Sequence, residues 1–206
     1  MKKRIISVWI ICIFSFSSMA QQFDGGLMLG LVGSQVAGDL YGGFNKAGLS
    51  AGGWTSLSVS PKSEFRMELA YIQKGSRENP DAERGRYDTY IMRLGYIELP
   101  FLYRYIYNER FEFETGLGFN FLIHQGESFN GYETTDSPFK GQNLCFLAGL
   151  SFSLNDQVKI GFRTNNSLFS IRKNRVTGDV WRFWDHGQFS DALVLSAYYK
   201  LKKAGK

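Results

Sequence analysis

The stretch RLGYIELPFLYRY, residues 93–105, reads as a β-strand with two irregularities. Its aromatic and branched residues alternate with others, as on a half-buried pleated surface. Pro100 interrupts it, and proline cannot donate to a ladder. The polar residues also change parity, since Arg93 is odd-numbered while Glu98 and Arg104 are even-numbered. One extra residue near Tyr96 and Ile97 accounts for both features, because a bulge slips the register and exchanges the two faces. On this reading Tyr90, Met92, Leu94 and Tyr96 share a face with Ile97, Leu99, Phe101, Tyr103 and Tyr105. Glu98 and Arg104 then return to the face of Arg93. The alternative is two short strands broken at Pro100.

Outward from this stretch, period-2 segments recur at about 26–36, 47–60, 64–74, 89–107, 111–124, 143–154, 158–171 and 191–201. No convincing helix follows the first 20 residues. The 23 glycines and 16% aromatics, with only 4 prolines, suit long strands better than helices. Short turns (SPKSE, NER, ND) alternate with long loops (AGDLYGGFNK, GSRENPDAERGRYD, QGESFNGYETTDSPFKGQ, KNRVTGDVWRFWDHGQFS). This is the up-and-down pattern of an outer-membrane barrel, with short periplasmic turns and long extracellular loops. The expected fold is all-β: an antiparallel transmembrane barrel of about eight strands, one domain over 21–206.

Alternation alone also suits a soluble, lipocalin-like ligand-binding barrel with its apolar face inside. Strand length favours the membrane, since a span takes about 9–11 tilted residues and soluble strands usually have about 5–6. The polar face carries Arg66, Glu68, Lys74, Arg93, Glu98, Arg104, Glu112, Glu114, Lys159, Arg163 and Lys200, with glycines such as Gly30, Gly118 and Gly161 between them. Eight strands leave an interior that side chains can fill. A mid-membrane Lys or Arg facing lipid costs about 2–4 kcal/mol, so these charges belong in the lumen as a structural network. Tyr71, Tyr90, Tyr103, Tyr105, Tyr107, Phe111 and Tyr199 fall toward strand ends, where girdles form.

The first residues form a signal peptide, 1–20. Lys2, Lys3 and Arg4 precede an apolar run from about Ile5 to Phe16, and Ser18-Met19-Ala20 supplies a cleavage site. Export to the outer membrane of a Gram-negative bacterium follows from signal and barrel together. Cleavage removes three cations, so the formal charge of +5 falls to about +2. That gives no reason to expect a nucleic-acid partner. Of Cys12 and Cys145 only the second remains, which excludes an intrachain disulfide.

No motif indicates a reaction, a cofactor or a metal. Gly48-Leu49-Ser50-Ala51-Gly52 matches G-x-S-x-G, but that nucleophile elbow needs a following helix. His124 and His186 stand alone as rim residues, and Cys145 lacks metal-ligand company. The last long loop is the candidate interaction site: Arg175, Trp181, Arg182, Phe183 and Trp184 mix Arg with aromatics, as binding hot spots do. Such a loop suits outer-membrane lipid, lipopolysaccharide head groups or an envelope or secretion protein. It equally suits folding over the barrel mouth.

Three stretches, GLMLGLVGSQVAGDLYGGFNKAGLSAG (26–52), ELAYIQKGSR (68–77) and the opening RLGYIELPFLYRY, resemble the PorT-like outer-membrane β-barrel family of Bacteroidetes. Gly33 stands where that family's opening strand often has Asn. The resemblance covers essentially the whole mature chain, implies an eight-stranded outer-membrane barrel and implies no reaction. The family name comes from a member tied to protein secretion; an accessory component of a secretion or assembly machine is the alternative role, by analogy of fold.

Overall fold

The computed structural model describes residues 23–81, 83, 85, 87–134, 138–173 and 180–202. The expected signal segment 1–20 and Arg175 lie outside the described residues. Eleven strands follow in order: β1 (Phe23–Ala37), β2 (Lys46–Ser60), β3 (Ser63–Glu78), β4 (Tyr90–Ile106), β5 (Phe111–Phe129), β6 (Tyr132–Glu133), β7 (Gln142–Ser153), β8 (Val158–Ser167), β9 (Val180–Arg182), β10 (Asp185–Gly187) and β11 (Phe189–Lys200). Eight of them form an antiparallel barrel: β1 pairs with β2 and β11, and β4 pairs with β5 to close the ring. Closure removes the exposed edges that would leave backbone groups unpaired in lipid. β6 only extends the β5 hairpin, and β9–β10 is a separate hairpin beside the barrel.

The faces segregate cleanly. Leu27, Leu29, Leu31, Phe65, Met67, Leu69, Phe101, Phe113, Phe119, Phe121 and Leu195 are exposed on the outside. Arg66, Glu68, Lys74, Glu98 and Arg104 are buried inside. An apolar wall around a charged interior is the reverse of a lipocalin-like barrel, so the soluble reading is overturned. Tyr103, Tyr105, Tyr107, Phe111 and Tyr199 ring the short-turn end, exposed to the surroundings.

The opening stretch corrects the expected register. Every even-numbered residue of β4 from Tyr90 to Arg104 faces inward and is buried, so β4 carries no change of face. Tyr90, Met92, Leu94 and Tyr96 line the lumen rather than meeting lipid, and Tyr90 is not a girdle residue. Arg93 points outward and does not belong to the lumenal network. The register slip does lie between Gly95 and Tyr96, but the extra residue is Ile123 of β5: Gly95 pairs with His124 and Tyr96 with Leu122. Tyr96 and Ile97 are regular strand residues. Pro100 interrupts the β3–β4 ladder locally, between Met67↔Phe101 and Ala70↔Glu98, without shifting it. Parity misled because polar was equated with inside; the loop-end half of the lumen is apolar.

Candidate functional site

The turn-end half of the lumen is an ion-pair lattice built by the inward residues of β3, β4, β5 and β8. Arg163 forks onto Glu68 at 2.8 and 3.0 Å, and its Nε donates to Glu114 at 2.7 Å. Arg104 donates to Glu64 at 2.8 Å and also to Glu112, which in turn accepts from Lys159. Nearer the middle, Lys74 donates to Glu98 at 3.3 Å and to Asn165 at 2.9 Å. Lys200 meets Asp24 at the rim, at 2.6 Å. Ten of the eleven expected residues thus line the interior or its rim, all but Arg93. Glu64 and Asp24 were missed, although Glu64 shares its parity with Arg66 and Glu68. With them, six cations (Arg66, Lys74, Arg104, Lys159, Arg163, Lys200) face six carboxylates (Asp24, Glu64, Glu68, Glu98, Glu112, Glu114). Neutrality is what burial demands of the charges below the rim, and the partly exposed Lys159, Lys200 and Asp24 complete it at the open end.

Below this lattice a polar vestibule of about 520 Å³ opens at the short-turn end. Arg66 forms part of its lining, stacked 4.1 Å from the Trp54 ring and 5.2 Å from that of Tyr198. Its Nε and Nη1 have no hydrogen-bond partner.

The loop-end half is a plug. Val32, Val36, Ile72, Met92, Leu94, Tyr96, Ile171 and Val194 form one buried cluster. Loop residues seal it from above. Arg172 forks onto Glu127 with both contacts at 2.6 Å, donates to Gln188 at 2.6 Å and lies 4.4 Å from the Phe139 ring. Tyr41 stacks on Tyr90 at 4.6 Å. Asp39 of the β1–β2 loop is buried there, and burial pushes its carboxyl up to about 6.

The predicted interaction loop divides into anchor and display. Arg182 is an anchor: it forks onto Asp191 at 2.6 and 2.7 Å and reaches the Ser167 carbonyl at 3.1 Å. Asp191 and Asn166 face outward from β11 and β8, so the β9–β10 hairpin packs against the barrel's outer wall. Asp185 accepts from the Ser170 and His186 amides, which hold its carboxyl down at about 2. Trp181, Phe183 and Trp184 are the display, at 73%, 68% and 70% exposure. Phe183 sits at φ 54°, a left-handed turn position that an aromatic residue rarely occupies. Among the described residues no three His, Cys, Asp or Glu side chains gather as metal ligands.

A family model described as outer membrane protein beta-barrel domain matches residues 19–173. No curated protein matches the chain in sequence. Among solved structures, the chain is similar to Ail, the attachment invasion locus protein of Yersinia pestis, crystallised with the heparin analogue sucrose octasulfate. The TM-score is 0.53 at 15% identity, over 87% of this chain and 99% of that one. It is also similar to Neisserial surface protein A, with a TM-score of 0.55 at 13% identity, over 86% and 97% of the two chains. At such identities the likeness concerns the fold alone.

Proposed function

We propose that this chain, which belongs to the outer membrane protein beta-barrel domain family, is a non-enzymatic, non-conducting barrel of the Gram-negative outer membrane that acts through its loop end. The signal segment exports it, the short turns lie in the periplasm and the long loops lie outside. A lumen filled by ion pairs below and by the apolar plug above supports a closed wall rather than a pore. The β9–β10 hairpin carries the functional reading. Phe183 and Trp184 are held out on a strained turn, with Trp181 beside them on β9, while Arg182 and Asp185 fasten the hairpin's base. Backbone strain maintained by surrounding contacts is a mark of functional segments, and the expected occupant is an envelope protein.

Two measurements test this. The refolded chain should show no unitary conductance in planar bilayers, and stepwise conductance would overturn the closed lumen. In cells, a photo-crosslinking residue at Trp181, Phe183 or Trp184 should yield one protein adduct. Adducts with lipid alone at all three positions would remove the protein partner. The turn-end vestibule, with the unpartnered N–H groups of Arg66, favours a second reading as an accessory component of a secretion machine. Unchanged secretion after deletion would dismiss it.

A further inference from the structure

On the outer wall, at the loop-end limits of β2 to β5, lies a second pocket, of about 480 Å³. Lys46, Tyr71, Gln73, Arg93, Gly95 and His124 line it, and none of its lining residues is acidic. The charge of Lys46 is within interaction range of both Arg93 and Arg77. Among the described residues no carboxylate forms an ion pair with any of the three; Arg77 donates to Asn79 and Lys46 to the neighbouring Ala47 carbonyl. Inside the barrel every cation has its carboxylate. Here cations that repel one another stand together unopposed.

The bulge builds this pocket. Regular alternation would turn His124 into the lumen, as it does Asn120. The extra residue Ile123 leaves Ile123 and His124 both exposed and places His124 opposite Gly95. Bulges re-aim side chains in this way beside functional sites. Gly95 lets the Tyr71 side chain lie across the floor: a Cβ there would meet the Tyr71 hydroxyl at 2.9 Å and Cβ of His124 at 3.3 Å.

Height decides the ligand. Outward residues of β3 run Phe65, Met67, Leu69, Tyr71, Gln73 and then Arg77. Those of β4 run Phe101, Leu99, Ile97, Gly95 and then Arg93. The pocket therefore begins where the apolar band ends, at the level of lipid head groups. Acyl chains would lie on the apolar wall directly beneath it. We propose that Lys46, Arg93 and His124 form a binding site for a phosphate group of the anionic glycolipid of the outer leaflet. Clustered cations at a membrane surface recognise anionic head groups in this manner.

The test uses the full mature chain in phosphatidylcholine nanodiscs, titrated with bisphosphorylated lipid A, dephosphorylated lipid A or inorganic phosphate. Wild type should bind the bisphosphorylated lipid, and the dephosphorylated lipid should not bind above background. Lys46→Gln and Arg93→Gln should each weaken binding about fivefold, from roughly 1 kcal/mol per surface cation. Gly95→Val, which pushes the Tyr71 side chain off the floor into the pocket without changing charge, should weaken it as well. Lys62→Gln, at the short-turn end, should change nothing. A boiled-versus-unboiled gel shift verifies that each variant is folded. Equal binding by wild type and Arg93→Gln, or by wild type and Gly95→Val, would overturn the proposal. Inorganic phosphate competing as strongly as the lipid would also overturn it, making this a soluble-anion site. Trp184→Ala should leave the titration unchanged, so this result and the hairpin reading fail independently.

Discussion

Toward the short turns, the interior of this barrel is a lattice of guanidinium groups and carboxylates. Toward the long loops, the same strands enclose Val32, Ile72, Met92, Leu94 and Tyr96. Both halves face away from lipid, yet they exclude water by different physics. The ionic half is held by pairing, where each partner is costly once the other is lost. The apolar half is held by contact, where losses scale with the cavity left behind. A lumen has to be filled, and filling does not require polarity; only the lipid face has a fixed character.

The largest effect should come from the ionic half. Arg163→Met leaves Glu68 and Glu114 buried without their main partner, at a cost of about 3–5 kcal/mol in urea unfolding from lipid vesicles. Replacing Lys74 and Glu98 together by Met and Leu should cost far less, because the pair is removed whole. If the double replacement proved the more damaging, the contrast between pairing and packing would fail. In the plug, Leu94→Ala should cost about 2–4 kcal/mol by the same unfolding, without altering the ionic half.

A smaller, local effect is expected outside the lumen. Arg182→Ala removes a part-buried anchor and should cost about 1–2 kcal/mol locally. It should release the β9–β10 hairpin to protease while the barrel's unfolding midpoint stays put. Coupled loss of both would mean that the hairpin is part of the barrel's stability. The least effect concerns pH. Asp39 is raised from 3.8 to about 6 by burial, so the folded loop disfavours its ionised form. Its contribution to docking the β1–β2 loop is complete below about pH 4 and is lost as pH rises through about 6. Hydrogen exchange in residues 38–45 should slow between pH 7 and pH 5 once the intrinsic rate is allowed for, and Asp39→Asn should remove that change.

The bulge shows how legible the fold was and where reading stopped. The parity test applied to Arg93 and Glu98 pointed to the right height but to the wrong strand. In β5 the inward polar residues Glu112, Glu114 and Asn120 are even-numbered, whereas Glu127 is odd-numbered and also faces inward, packed against Tyr90 and Arg172. That change of parity was visible in the sequence. Arg93 differs because a charge above the apolar band looks, in one dimension, like a charge inside the barrel. Arg182 reads as a display residue beside three aromatics, and only its contact with Asp191 makes it an anchor.

By itself the sequence determined an all-β chain of about eight long strands, the alternation of short and long connections, and two unlike faces on nearly every strand. Period 2 and turn chemistry are local properties, so they survive without a fold. Only the tertiary structure decided how charges are neutralised, where the lumen turns apolar and which cations are left outside. Those outcomes depend on closure, which brings Arg163 onto Glu68, 95 residues away, and on the height of each residue along the barrel axis. A linear alternation carries neither.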